Sequence, residues 1–307
     1  DTKYAGNLYM YDSERDSFMI ALKALGYSMN TSDEAEIREA YDWLIRQRDT
    51  MDPVYAGDDV MDNMISSNKA IAVVYSGDGV TIDASNVNDG YVAVKCEGKS
   101  NKIKAQVMLG DHSYNYDLAS DGVYDIYPLQ MGNGTYKVRV LENAGGTSYT
   151  PLYQAEFDVN MSDTNRVFVY PSQYVWYTND TAAVQKSQEL CANLSSDRAK
   201  VDAIYDWVVD NMTYDKELAA KVESGYIPDL EEVMKSKKGI CFDYCALFSA
   251  MLRAQGIPTK LVIGKVQPEN ITHSWSQVYV DGKWEWMDTT MDGKGHKESD
   301  YTMEKEY

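Results

Sequence analysis

The fold is decided by the stretch GICFDYCALFSAMLRAQGIP, residues 239–258. After Cys241 its apolar residues recur at every third or fourth position, which predicts a helix with a buried face. Gly256 and Pro258 predict the end of that helix, because glycine adopts the left-handed conformation and proline cannot continue a helix. Cys241 therefore lies in the first helical turn, where free backbone N–H groups and the positive end of the helix dipole favour an anion.

Two aromatic strands follow this helix. The first, HSWSQVYV at residues 273–280, alternates in character and ends at Asp281-Gly282, a dipeptide typical of tight hairpin turns. The returning strand is KWEWMD, residues 283–288. The pattern predicts an antiparallel hairpin directly after the helix that carries the cysteine.

The register of this hairpin brings an imidazole close to a carboxylate. A two-residue turn pairs Val280 with Lys283, and continued pairing places His273 opposite Thr290. Asp288 is two residues from Thr290, so it lies on the same face as His273 and diagonal to it. There it can fix the tautomer of the imidazole and stabilise an imidazolium.

A thiol, an imidazole and a carboxylate in this order are the parts of a nucleophilic Cys-His-Asp site. Two other interpretations of these residues exist. A cysteine taken alone is more often a buried structural thiol. Cys241, Cys245 and His273 could instead bind a metal, but no fourth ligand has motif spacing, so we predict no metal site. The predicted catalytic residues are Cys241, His273 and Asp288.

Several blocks together resemble the core of the transglutaminase-like superfamily. They are residues 204–208 (IYDWV), 211–215 (NMTYD), 239–258, 273–275 (HSW) and 284–290 (WEWMDTT), and the resemblance covers residues 195–292. It implies a papain-like α+β arrangement, a helix bearing cysteine packed on an antiparallel sheet. It also implies that Cys241 is the nucleophile, His273 the general base and acid, and Asp288 the orienting residue.

The sequence patterns in the rest of the chain predict two further structural regions. Residues 1–75 contain helical patterns, including a capping-box pair at Thr31 and Glu34 and a short helix over 58–67. Residues 76–165 contain short β-type runs between turns, typical of an antiparallel, Ig-like β-sandwich. Residues 166–307, beginning with an extended connector over 166–177, form the predicted catalytic domain. The fold class is therefore α+β and multidomain.

Charge and composition narrow the classes of partner. The formal net charge of −19 argues against nucleic acid and anionic membranes as partners, and no apolar run is long enough for a transmembrane segment. The chain lacks an initiator Met, so we expect a mature form whose leader is outside this sequence. The tyrosine-rich, Asn- and Gly-rich first half is typical of an extracellular or cell-surface bacterial protein.

The expected function is cysteine-dependent acyl transfer on a peptide or protein amide, more in the manner of a hydrolytic cysteine protease or amidase than of a crosslinking enzyme. One alternative is a protein-glutamine crosslinking transglutaminase, because the outcome depends on whether water or an amine reaches the thioester. The other is a non-catalytic surface scaffold with a dormant triad. No cofactor is needed for this chemistry, and we expect the sandwich to bind a cell-wall or surface component.

Overall fold

The computed structural model describes residues 9–11, 21–28, 31–51, 54–56, 73–99, 101–291 and 296–307. The chain divides into two compact units, Asp1–Val73 and Val74–Tyr307. In the first unit, strand β1 (Tyr9–Tyr11) pairs in parallel with β2 (Val54–Ala56), and helix α1 covers Glu34–Met51. The short helix predicted over 58–67 lies outside the described residues.

The cap of α1 differs from the predicted capping box. Asp33 caps the helix, because its Oδ1 accepts the N–H groups of Ala35 at 2.8 Å and Glu36 at 3.2 Å. The Thr31 hydroxyl accepts only the N–H of Asp33, at 3.2 Å. Because the helix starts at Glu34, a cap at Thr31 would be too early by two residues.

A β-sandwich opens the second unit. One sheet has the order β3-β4-β5-β8 and the other β10-β9-β6-β7, with antiparallel pairing throughout both. The strands are β3 (Val74–Gly77), β4 (Val80–Asp83), β5 (Tyr91–Cys96), β6 (Ile103–Leu109), β7 (His112–Leu118), β8 (Asp125–Pro128), β9 (Gly134–Gly145) and β10 (Ser148–Val159).

Two of these strands have weak signals in the sequence. β4 follows directly after the turn at Asp78-Gly79. β7 is an edge strand rich in polar residues, and His112 is its exposed first residue. Edge strands have a partner on one side only, so they need fewer apolar residues.

The second part of this unit packs one helix between other helices and a sheet. The helices are α2 (Ala182–Cys191), α3 (Asp197–Asn211), α4 (Lys216–Ala219), α5 (Leu230–Ser236) and α6 (Cys241–Arg253). The main sheet has the order β15-β14-β13-β16, with β13 (Thr259–Val266), β14 (Ile271–Val280), β15 (Lys283–Met287) and β16 (Tyr301–Glu306). Two short strands, β11 (Thr213–Tyr214) and β12 (Lys238–Gly239), pair in parallel.

Helix α6 is the centre of this arrangement. It packs on β13 and β14 on one side and on α2 and α3 on the other. Every residue from Asp243 to Arg253 is buried, as expected for a helix covered on all sides. The predicted α+β class, with a helical region, an antiparallel sandwich and a helix-on-sheet C-terminal domain, is confirmed. The boundaries predicted at residues 75 and 165 stay predictions.

The connector between sandwich and helices is only partly extended. A 3₁₀ helix covers Thr164–Val169, where an extended segment was predicted. Asp163 caps it by accepting the N–H of Asn165 at 2.9 Å, a local hydrogen bond that competes with extended backbone. None of the helices in the described ranges has the length and apolar character needed to span a bilayer.

A buried arginine ties α6 to the sheet and the connector. Arg253 is 3% exposed and donates to three main-chain carbonyls, those of Thr259 at 2.9 Å, Tyr170 at 2.8 Å and Tyr307 at 2.7 Å. Burial lowers the pKa of its guanidinium to about 10. The three hydrogen bonds fix where the C-terminal end of α6 lies against β13 and β16.

Candidate active site

The structure brings the three predicted site residues together. Cys241 is the first residue of α6, His273 lies on β14, and Asp288 directly follows β15. The Nε2 atom of His273 is 2.7 Å from Oδ2 of Asp288, and both side chains are buried. The Cys241 thiol is partly exposed and lies close enough to His273 to raise the pKa of its imidazole. Since Nε2 faces Asp288, Nδ1 is the ring nitrogen left for Cys241.

The hairpin register is the predicted one only near the turn. Val280 pairs with Lys283, but the ladder ends at Met287, so the predicted strand pair of His273 with Thr290 does not form. The strand partner of His273 is instead Gly264 on β13. Thr290 still approaches the imidazole, with its Oγ1 atom 3.4 Å from Nε2.

The Asp288 carboxylate itself ends the ladder. Its Oδ1 accepts the N–H groups of Thr290 at 2.8 Å and Met291 at 3.0 Å, together with the Thr290 hydroxyl at 2.8 Å. These bonds curl the chain away from the strand direction. Oδ2 accepts the Tyr301 hydroxyl at 2.7 Å as well as facing His273. Both carboxylate oxygens are therefore fixed in position.

The interaction between His273 and Asp288 favours the charged form of each side chain. Burial would raise the pKa of the Asp288 carboxyl, but the hydrogen bonds from His273, Thr290 and Tyr301 lower it to about 2. Burial would likewise lower the pKa of His273, but Asp288 and Cys241 outweigh burial and raise it to about 9. The imidazole therefore carries its proton at neutral pH and can deliver it to a leaving group.

The turn before the nucleophile is built around a buried carboxylate. The carboxylate belongs to Asp243, which is 0% exposed. Its Oδ2 atom accepts a hydrogen bond from the N–H of Ile240 at 2.8 Å, and its Oδ1 atom accepts one from the Tyr226 hydroxyl at 2.8 Å. A Cβ at Gly239 would lie 2.5 Å from that of Asp243, so only glycine fits there. Burial raises the pKa of Asp243, and both hydrogen bonds oppose that rise.

Tyr214 contacts the nucleophile from the other side. The parallel pair of β11 and β12 places Tyr214 beside Gly239, supported by a hydrogen bond from the N–H of Asp215 to the Gly239 carbonyl at 2.8 Å. The Tyr214 hydroxyl lies near the backbone and the sulfur of Cys241. Burial and the nearby sulfur raise the pKa of this phenol.

Sequence reasoning gave no role to Tyr214, Asp243 or Tyr301. Tyr214 stands in NMTYD and Asp243 in GICFDY, two of the blocks that carry the resemblance, so their positions were visible although their contacts were not. Tyr301 had no signal at all, because it lies in a charged segment of ordinary composition. Its ring packs against Trp275 and Trp286, with centroids 5.0 and 4.9 Å apart.

The other three cysteines are shielded. Cys96, Cys191 and Cys245 are buried, and all four cysteines are free thiols. Burial raises the pKa of each of these three thiols. Cys241 is thus the one thiol in the chain with access to solvent and a basic partner, which makes it the candidate nucleophile.

Comparison with known proteins agrees with the resemblance seen in the sequence. Residues 184–289 match the core family of the transglutaminase-like superfamily, and this range contains all three candidate catalytic residues. Kyphoscoliosis peptidase of Mus musculus is 27% identical over 113 residues, which cover 33% of this chain and 17% of the relative.

Solved structures that this chain resembles in part were also found. A candidate cysteine protease from Cytophaga hutchinsonii is 22% identical, with a TM-score of 0.37, over 44% of each chain. A protein described as a TGase is 30% identical, with a TM-score of 0.31, over 38% of this chain and 31% of the other. The chain thus spans less than half the length of each of these proteins. The C-terminal domain, residues 184–289, belongs to the transglutaminase-like superfamily.

Proposed function

We propose that the C-terminal domain catalyses cysteine-dependent acyl transfer on peptide or protein amides, with water as the usual acceptor. The observation that carries this proposal is the placement of His273 between the carboxylate of Asp288 and the thiol of Cys241. Such an arrangement supplies a nucleophile, a proton carrier and an orienting group side by side.

Each step can be assigned to a side chain. The thiol of Cys241 passes its proton to Nδ1 of His273, and the resulting thiolate attacks the amide carbon and forms the C–S bond, while the carbonyl oxygen becomes an oxyanion. The backbone N–H at the start of α6 and the Tyr214 hydroxyl donate to that oxyanion. His273 transfers its proton to the amide nitrogen, the C–N bond breaks, and the amine leaves. An acyl-thioester remains on Cys241.

The second half of the reaction regenerates the enzyme. Water attacks the thioester carbon and gives a proton to His273, the C–S bond breaks, and a carboxylic acid is released. A lysine amine in the place of water would give an isopeptide crosslink. The name of the related mouse protein, a peptidase, favours water.

One assay separates these outcomes. A protein substrate and a glutamine-containing peptide are incubated with the enzyme, with and without an added primary amine, and the products are identified by mass spectrometry. We expect new peptide termini or free acids, lost in Cys241→Ala and retained in the control Cys191→Ala. Isopeptide product without hydrolysis would overturn the preference for water. Equal products from wild type and Cys241→Ala would overturn the catalytic role.

The setting of the protein is also part of the proposal. An extracellular or cell-surface location fits the net charge of −19 and the polar, tyrosine-rich first half. Fractionation of the producing cells, followed by detection of the chain, tests it. Recovery in the cytoplasmic fraction alone would contradict this location.

A further inference from the structure

A large groove separates the β-sandwich from the helices of the C-terminal domain, within the unit Val74–Tyr307. Its volume is about 1060 Å³. The ends of β6 and β7 and most of β8 line one wall, and residues 173–181 and 227–231 line the other. We call it the sandwich groove. At this volume it exceeds the usual size of a small-molecule pocket and fits a segment of polypeptide.

The base of the sandwich groove is apolar. Leu118 and Leu230 are each 5% exposed and form part of its lining. At the rim, Trp176 is 48% exposed and Ile227 is 39% exposed, both high for large apolar side chains. Apolar side chains left open along a concave surface mark a binding site more often than isolated exposed ones do.

Carboxylates dominate the charge of the groove. One cation, Lys102, lines it together with five acidic residues, Asp117, Asp125, Asp180, Asp229 and Glu231. Lys104 neutralises Asp117, with Nζ 2.6 Å from Oδ1. The other four form no ion pair with any of the described residues.

Two of these four carboxylates hold helix termini. Asp229 accepts the N–H of Glu231 at 3.0 Å, and Glu231 accepts the N–H of Ala182 at 3.0 Å. Backbone donors satisfy the oxygens but leave the formal negative charges in place. The groove therefore has a negative potential that the protein does not neutralise itself.

Asp125 is the carboxylate placed deepest. It is partly buried at the start of β8, and burial raises its pKa. The nearby backbone of Ala119 and hydroxyl of Tyr127 oppose that rise in pKa, although the hydroxyl donates its hydrogen to the Asp117 carbonyl at 3.1 Å. A cationic group in the groove would supply the countercharge that Asp125 lacks.

The backbone of β8 adds a second feature that suits a peptide. β8 is an edge strand, and among the described strands it pairs only with β5. Asp125, Ile126 and Tyr127 of this strand all line the groove. An edge strand can accept an extended peptide as an additional strand through main-chain hydrogen bonds.

We propose that the sandwich groove binds an extended peptide segment in which lysine or arginine alternates with apolar residues. The segment pairs with the edge of β8, its apolar side chains cover Leu118 and Leu230, and its cations lie against Asp125 and Asp180. The exposed ring of Trp176 packs on a cationic side chain. This inference does not depend on the proposed reaction, because none of the candidate catalytic residues lines the groove.

The test uses a fluorescein-labelled ten-residue peptide of alternating lysine and valine, with its glutamate-valine counterpart as the charge-reversed probe. Fluorescence anisotropy measures binding to the full chain carrying Cys241→Ala, so that turnover cannot interfere. We expect binding of the lysine peptide only, weakened by added salt. Asp125→Asn with Asp180→Asn should weaken it at least tenfold, and Trp176→Ala should weaken it as well.

The negative net charge of the whole chain requires a matched control. Asp206→Asn with Asp210→Asn removes the same charge from the exposed face of α3, away from the groove, and should change the affinity less than twofold. Circular dichroism melts identify any variant that has not folded. If both pairs of substitutions weaken binding of the lysine peptide equally, the peptide is attracted by the charge of the whole chain, and the proposal is overturned. Binding of the glutamate peptide, or no binding of the lysine peptide, would also overturn it.

Discussion

Replacing Asp288 by asparagine tests the relay without changing its shape. Three donors face Oδ1, two of them backbone N–H groups that cannot change. The amide oxygen of the asparagine must therefore occupy that side, and its NH₂ group then faces Nε2 of His273. Nε2 becomes an acceptor, so the ring proton moves to Nδ1, the nitrogen that faces Cys241. In this tautomer the imidazole cannot take a proton from the thiol.

The size of the effect follows from the two pKa values. A rise from 6.5 to about 9 for His273 is about 3.4 kcal/mol, and a fall from 3.8 to about 2 for Asp288 is about 2.4 kcal/mol. Cys241 supplies part of the rise in the His273 pKa, and Thr290 and Tyr301 supply part of the fall in the Asp288 pKa. We therefore assign about 2 kcal/mol to the pair itself and expect Asp288→Asn to lose about that much stability.

The pH dependence of this stability has a defined sign. His273 contributes fully below its unfolded pKa of 6.5, and the contribution is lost as the pH rises through about 9. Asp288 contributes fully above 3.8, and its contribution is lost as the pH falls through about 2. The difference in unfolding free energy between wild type and Asp288→Asn should thus be largest between about pH 4 and pH 6.5.

Two assays measure these effects. Replacing His112 and His296 by glutamine leaves His273 as the chain's one histidine, so ¹⁵N NMR reports its tautomer and pKa without overlap. Iodoacetamide alkylation with peptide mapping then reports the reactivity of Cys241. We expect Asp288→Asn to lower the His273 pKa by about 1.5 pH units and to reduce turnover about 10³–10⁴-fold. An unchanged tautomer, together with an unchanged alkylation profile, would refute the reasoning.

Three further substitutions test the surroundings of the site. Tyr301→Phe removes one of several donors to Asp288, so turnover should fall less than tenfold; a loss as large as that of Asp288→Asn would contradict this. Arg253→Met removes the guanidinium's hydrogen bonds to three main-chain carbonyls, of which that of Tyr307 keeps the N–H of Leu261. It should cost about 3–5 kcal/mol in urea unfolding, and a stability within 1 kcal/mol of wild type would show that those bonds add little. Gly264→Ala would place a Cβ 2.0 Å from the Thr302 carbonyl oxygen. We therefore expect β16 to separate from β13 and the amide protons of β16 to exchange faster with solvent. Unchanged protection of these amides from hydrogen exchange would disprove the clash.

The helix and hairpin were predictable because their signals are local. The start of α6 at Cys241 and its stop near Gly256 follow from glycine, proline and helical spacing, and Gly256 adopts a φ of 76°. The pairing of Val280 with Lys283 follows from the turn between them. Each of these features depends on residues adjacent in the chain, so tertiary packing had little to change.

The remaining parts of the site depend on contacts between distant segments. Tyr301 reaches Asp288 only because β16 joins the sheet beside β13, and nothing in the composition of that segment indicates a strand there. Tyr214 reaches Cys241 through a short parallel pair that carries no hydrophobic pattern. The end of the ladder at Met287 was missed because it is imposed by the hydrogen bonds of one carboxylate rather than by periodicity.

The hydrogen bond between Tyr226 and Asp243 has a thermodynamic consequence. Tyr226 directly precedes the wall of the sandwich groove that begins at Ile227, while Asp243 holds the backbone of Ile240 just before the nucleophile. A ligand that shifts this wall changes the free energy of the turn carrying Cys241. Binding linkage is reciprocal, so a group on the sulfur that shifts the same turn would in its turn alter the affinity of the groove for its ligand.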